Sequence, residues 1–278
     1  MRIWTSPTDF EDPGSQWDGE TRSYDEDTGT SAPNDYLDPE TAIKRARSMT
    51  AYGADIIDIG AESTRPGSLP VHPAVQLERL LPIVKSLSAD CRAVISIDTA
   101  SAEVADTVLS AGAEMINDVT AISDPAMAEV VAKADVPVVL MHMLGKPVNM
   151  QDSPEYTDVV EEVYTFLEKR IAAAVESGIT KERIIVDPGI GFGKRLEDNV
   201  QLISRLAEFK WLGCRVLLGH SRKSFLGMLT GIREPAALET GTHAVTALSS
   251  NCADIVRVHD VEGTQQVLRV SREFGQRI

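Results

Sequence analysis

The sequence predicts an α/β protein folded as a (β/α)8 TIM barrel, with a short or atypical first strand and a long acidic loop after it. Three observations predict it. From residue 38 onward, short runs rich in Ile and Val alternate with helical patterns, as in parallel strands buried on both faces. Seven such βα units follow one another, and an eighth strand closes a barrel of ordinary size. Polar residues recur where run after run ends, which is where this fold gathers its chemistry. An open doubly wound sheet is the alternative; it usually carries an early Gly-rich dinucleotide turn, and none is seen.

The first strand has one candidate, Arg2-Ile-Trp-Thr5, short and weak. Residues 13–36 follow as a polar loop rich in Asp, Gly, Ser and Thr; a loop of this length is functional or disordered, and it is expected to be mobile. The later strands are expected at Ala54–Gly60, Ala93–Asp98, Glu114–Asp118, Val136–Met141, Arg183–Asp187, Cys214–Gly219 and Ala253–Val258. Helices are expected at Pro39–Tyr52, Pro73–Leu87, Ser101–Ala111, Pro125–Lys133, Pro154–Ser177, Leu196–Glu208, Pro235–Ser250 and Val261–Gly275. Asp38-Pro39 and Asp124-Pro125 are cap-then-proline starts. The whole of 1–278 reads as one domain.

Composition narrows the function. The 43% apolar content fills a core, and the net charge of -15 argues against nucleic acid or anionic membrane as partner. Residues 1–36 hold nine acids and two bases, a net of -7 and about half of the excess. No apolar run approaches the roughly 18 residues of a spanning helix, and the N-terminus has no signal-peptide pattern. Cys91, Cys214 and Cys252 are scattered and odd in number. They read as core filler in a reducing cytoplasm.

The strand ends divide by charge. Arg65, Arg222, Lys223, Arg257 and His259 follow strands 2, 7 and 8, which lie together in a closed barrel with strand 1. Converging cations in an acidic protein suit a phosphate or carboxylate. Asp98, Asn117 and Asp187 end strands 3, 4 and 6. Buried carboxylates and an amide need polar partners, and a flat heterocycle bearing N–H donors supplies them. Lys223 can reach a ring carbonyl there, and Met141 and Phe192 can pack on the ring faces. Metal binding by the acids is the rival reading, weakened because the five histidines show no paired spacing. His72 and His243 read as structural or surface residues. After strand 6 comes Asp187-Pro-Gly-Ile-Gly-Phe-Gly-Lys194, whose glycines let backbone approach something flat or anionic.

These segments, with Asp58-Ile-Gly-Ala-Glu-Ser-Thr-Arg-Pro-Gly67, Ser96-Ile-Asp-Thr99, Ile116-Asn-Asp-Val119, Met141–Gln151, Ser221-Arg-Lys-Ser-Phe225 and Arg257-Val-His-Asp-Val261, resemble dihydropteroate synthase from about Tyr36 to the C-terminus. The resemblance implies a cytoplasmic TIM-barrel enzyme, a homodimer, that joins a dihydropterin-CH2-diphosphate to p-aminobenzoate with Mg2+. It places Asp98, Asn117, Met141, Asp187, Phe192, Gly219 and Lys223 at the pterin. It places Thr64, Arg65, Asn117, Arg257 and His259 at the diphosphate, and Thr64, Pro66, Ser221 and Arg222 at the aminobenzoate. Lys223, Arg257 and Asp98 are the implied catalytic residues. The first strand departs from the family: the family's Asn, a Mg2+ ligand, falls on Trp4, and residues 15–34 are an insertion. A pterin-binding paralogue using another amine, or acting only weakly, and a non-catalytic pterin-binding protein are the alternatives. A corrinoid-linked methyltransferase barrel is disfavoured, because the Ser-Thr-Arg-Pro and Ser-Arg-Lys-Ser motifs serve groups that its chemistry lacks.

Overall fold

Every expected apolar run forms a strand, and the computed structural model describes residues 1–7, 38–64 and 68–275. The strands are β1 (Arg2–Thr5), β2 (Ile56–Gly60), β3 (Val94–Asp98), β4 (Met115–Asp118), β5 (Val138–Met141), β6 (Ile184–Asp187), β7 (Arg215–Gly219) and β8 (Ile255–Arg257). All pairings are parallel, and β1 pairs with both β2 and β8, closing the barrel in the order β1 to β8. The open-sheet alternative is thereby excluded. The loop expected at 13–36 lies outside the described residues.

The helices between the strands are α1 (Pro39–Ala51), α2 (Pro73–Leu87), α3 (Ala102–Ser110), α4 (Pro125–Ala134), α5 (Val159–Glu176), α6 (Leu196–Ser204), α7 (Ser224–Thr230), α8 (Glu239–Leu248) and α9 (Val261–Gly275). Both cap-then-proline starts hold: Asp38 accepts from the Thr41 amide and Asp124 from the Ala126 amide. Three expectations need correction. The fifth helix starts at Val159, not Pro154, because the Asp158 carboxylate caps it by accepting from the Val160 and Glu161 amides. The sixth stops at Ser204 and continues as a 3-10 segment, Leu206–Leu212, which Gly213 ends in the left-handed region. The helix expected at Pro235–Ser250 begins as the 3-10 segment Pro235–Leu238 before α8. Of the cysteines, Cys214 is buried, while Cys91 and Cys252 are only partly so and pack against the core edge.

Two apolar layers set the site's position. Outward-facing strand residues pack against the helices in one core. Inside the barrel, Trp4, Ile56, Met115, Val139, Ile185, Leu217 and Ile255 form a second cluster, with Val94 against it. Strand side chains alternate with period two, so the inward residues one step further along are Ser6, Asp58, Asn117, Met141, Asp187, Gly219 and Arg257. The apolar cluster is thus a floor, and the polar set stands on it at the carboxyl ends of the strands.

Candidate active site

Asp58 is the hub of this set. It is wholly buried, and such a charge must be paired. Its Oδ1 accepts from Ser96 Oγ at 2.8 Å; its Oδ2 accepts from Asn117 Nδ2 at 3.2 Å and from Arg257 Nε at 3.1 Å. Arg257 reaches across β1 to make this pair, so Asp58 fixes the amide on one side and the guanidinium on the other. The sequence shows Asp58 as one more strand-end acid; its partner lies 199 positions away, which no local pattern reveals. The neighbouring Asp118 is different. Its carboxylate accepts from the Thr120 amide and hydroxyl and the Ile122 amide, which fastens a turn where Ala121 and Ile122 have positive φ.

The pterin-side residues predicted from sequence come together. Asp98 pairs in register with Asn117, and Met141 with Asp187. Around Gly219, a Cβ would lie 3.7 Å from Asp187 Oδ2, 3.9 Å from Lys223 Nζ and 4.0 Å from Arg257 Cβ, so the carboxylate, the ammonium and the Arg257 stem meet at this position at ordinary contact distance. Burial raises the Asp187 carboxyl above its usual range; Lys223, the Gly189 amide (2.7 Å), Lys194 and Arg257 oppose the rise. Lys223 donates to the Ile190 carbonyl and lies 4.6 Å from the Phe192 ring centroid.

The glycine loop between β6 and α6 is held on every side. Gln151 donates to the Gly191 carbonyl and Tyr156 to the Gly193 carbonyl, both at 2.7 Å, while Asn199 accepts from the Gly191 amide at 2.7 Å. Gly189 sits at φ +69°, and a Cβ there would overlap the His142 carbonyl oxygen. Beneath the loop, Lys194 is buried, with Nζ 3.0 Å from His142 Nδ1 and 3.0 Å from the Phe192 carbonyl. Burial lowers the Lys194 ammonium to about 7, against the pull of Asp187. Burial and the neighbouring Lys194 lower His142 to about 3, so the His142 ring is neutral beside that lysine. Lys194 and His142 were not singled out from sequence as site residues.

On the other rim, Ser221 Oγ lies 2.8 Å from His259 Nδ1, joining the loops after β7 and β8. Arg222, at φ +56°, turns its guanidinium to Glu239 (Nε to Oε2, 3.1 Å). Thr64 and Asp98 line one cavity of about 230 Å³, together with Glu62, Gln76 and Thr99. Glu62 accepts from the Val71 amide and Gln76, and Gln76 accepts from Thr99. This chain of bonds braces the loop after β2 over the end of β3. Arg65 and Pro66 lie outside the described residues. A larger depression, about 340 Å³, lies at the opposite end of the barrel between Lys181, Lys210, Cys214 and Asp254. That end carries stability in this fold, and Lys210 and Asp254 there are paired at 2.5 Å.

Trp4, on which the family's Asn is expected to fall, offers no oxygen. Trp4 is wholly buried among the floor residues. Its indole Nε1 is buried without a hydrogen-bond partner, and an indole is only a donor. Trp4 itself therefore supplies no ligand for a hard cation.

A model of the pterin binding enzymes matches residues 28–259, most of the chain. The chain belongs to this family. It is 40% identical over 229 residues to the dihydropteroate synthase of Escherichia coli K12, covering 82% of this chain and 81% of that protein. It is 43% identical over 233 residues to that of a Synechocystis strain, covering 83% and 81%. Among solved structures, Yersinia pestis dihydropteroate synthase in a sulfonamide drug complex matches with a TM-score of 0.86 and 33% identity over 100% of this chain and 94% of that one. The Xanthomonas albilineans enzyme with 7,8-dihydropteroate matches at 0.78 and 40%, over 85% and 88%. No described helix is long and apolar enough to cross a membrane.

Proposed function

We infer that the chain is a dihydropteroate synthase, a transferase of folate biosynthesis that condenses a dihydropterin-CH2-diphosphate with p-aminobenzoate. One observation carries this: a carboxylate-lined half and a cation-lined half stand side by side on one barrel floor and are tied together through Asp58. The pterin edge pairs with Asp98, Asn117 and Asp187, between Met141 and Phe192 and below Lys223. Arg257 and His259, with Arg65 and Thr64, take the diphosphate. Thr64, Pro66, Ser221 and Arg222 flank the aminobenzoate.

The carbon–oxygen bond to diphosphate breaks with its electron pair going to oxygen, where Arg257 stabilises the departing charge. The methylene cation faces the Asp98 and Asp187 carboxylates. The aminobenzoate nitrogen then donates its lone pair to the methylene and loses one proton to the released diphosphate or to water. Each charge meets fixed groups of opposite sign, so little reorganisation is required.

Mg2+ would arrive held by the substrate's own diphosphate, because Trp4 offers it no oxygen; no step above depends on it. We further propose one domain over 1–278, a cytoplasmic location and a homodimer. Met228, Leu229 and Leu248 are exposed apolar side chains that a second copy would cover, and sedimentation equilibrium gives the stoichiometry. A coupled assay of diphosphate release with p-aminobenzoate, with and without Mg2+, tests the main reading. Pterin binding without release of diphosphate would favour the non-catalytic alternative. Release with a different amine alone would favour the paralogue, a reading to which the altered first strand gives weight.

A further inference from the structure

Away from the barrel mouth, Glu239 and His243 lie four residues apart on α8 and so share one helix face. Asp260 stands opposite, just before α9. One ligating atom from each lies within 4.8 Å of the others. Each carboxylate uses one oxygen as an anchor and leaves one for the cluster. Asp260 Oδ1 accepts from the Gly263 amide at 2.9 Å, and Glu239 Oε2 from Arg222 Nε at 3.1 Å. The remaining Glu239 Oε1 and the ring nitrogen His243 Nε2 are both buried without a hydrogen-bond partner. His243 Nε2 is 3.2 Å from Asp260 Oδ2, but without hydrogen-bond alignment. His243 Nε2 thus has Asp260 as an ion-pair partner, whereas Glu239 Oε1 has none among the described residues, and a bound ion would satisfy it. Gly263 lets the two side chains approach the backbone: a Cβ there would overlap Asp260 Oδ2 and lie 2.6 Å from His243 Cε1.

We propose that Glu239, His243 and Asp260 bind a divalent transition metal of the Zn2+ class. One imidazole and two carboxylates suit such an ion, with a position left for water. Mg2+ is a poor match, since it prefers oxygen donors in octahedral geometry. Arg222 holds Glu239 as an outer partner. The site is separate from the substrate groups but adjoins them in the chain: Arg222 follows Ser221, Asp260 follows His259, and Ser221 and His259 are bonded to each other. The ion would pin the loops after β7 and β8 to α8.

Untagged, chelator-treated protein is titrated with Zn2+ by calorimetry and with Co2+ by visible absorption, beside His243→Gln and Glu239→Gln. The wild type should bind one equivalent of Zn2+, gain thermal stability because the ion binds only the folded chain, and give Co2+ ligand-field bands. Both variants should lose the bands and the stabilisation. Far-UV circular dichroism and a cooperative melt of each variant verify that it has folded, and having two variants keeps the test decisive if one fails. Absence of Zn2+ binding by the wild type, or equal stoichiometry and stabilisation in a folded variant, would overturn the site. Either result leaves the diphosphate-release assay unaffected, so the two readings fail separately.

Discussion

Asp58 makes no predicted contact with the pterin, yet it orients Asn117 and Arg257, the groups proposed to hold the pterin and the diphosphate. Asp58→Asn keeps the shape and removes the charge that fixes Arg257. Hydrogen bonds to charged groups are worth about 1.5–3 kcal/mol, so kcat/KM for the pterin diphosphate should fall roughly ten- to a hundredfold. Unchanged kcat/KM would mean that Arg257 needs no anchor. Trp4 carries a different expectation. If strand 1 only lacked a metal ligand, Trp4→Asn would restore Mg2+-dependent turnover. The indole instead fills the barrel floor, and truncating a buried Trp costs about 3–5 kcal/mol. The variant should therefore show a large fall in denaturant midpoint and no gain in Mg2+ response. A stable variant with Mg2+-stimulated activity would show that the floor tolerates the change and that position 4 is the metal position.

The strands and the polar residues at their tips were legible because parallel strands buried on both faces leave short apolar runs ending in polar residues. The barrel's closure makes neighbours of strands 7, 8, 1 and 2; of the cations expected there, Arg65 lies outside the described residues and Arg222 turns to Glu239. What stayed hidden had no local pattern. The seven residues of α7 are too few for a helical period to register. The Pro154 start failed because proline can open a helix or precede one, and Asp158 decided it. The buried Lys194–His142 contact spans 52 positions, like the Asp58 hub beyond the reach of any window. The glycine loop shows how an element depends on one conformation. Gly189→Ala must strain a positive φ and displace the His142 carbonyl, so it should destabilise by more than about 1 kcal/mol and weaken pterin binding in calorimetry. Full affinity in that variant would mean that the loop does not shape the pocket.

The molecule as a whole should lose stability in mild acid. A histidine whose folded pKa is below its unfolded value binds fewer protons folded than unfolded between the two, so stability falls as pH drops through that interval. Burial lowers His220 from 6.5 to about 4 and His142 from 6.5 to about 3. Stability should decline below pH 6.5, His220 contributing down to about 4 and His142 to about 3. Lys194, lowered from 10.5 to about 7, has the same sign at higher pH: stability rises through that interval. The buried carboxyls of Asp118 and Asp187, raised above 3.8, act in the opposite direction. A variant isolates one contribution. His220→Gln can still donate to the Thr242 carbonyl that lies 3.0 Å from His220 Nε2. Its urea midpoint should change less than that of the wild type between about pH 6.5 and 5, and equal slopes would show that His220 does not titrate as its burial implies.

The ion pair over β1 also has a temporal meaning. It joins residues 199 positions apart, and the entropy of closing a loop grows with the length of chain enclosed. It cannot form until the ring is complete, because β1 is the strand between its two ends. A chain arrested one strand short would have two open sheet edges, each a template for wrong pairing, and an Arg257 with no carboxylate to hold it. The pocket is therefore a record of closure. A ligand that needs both halves recognises only finished rings, and by mass action draws unfinished ones toward the native state. For this chain the substrate doubles as a folding partner.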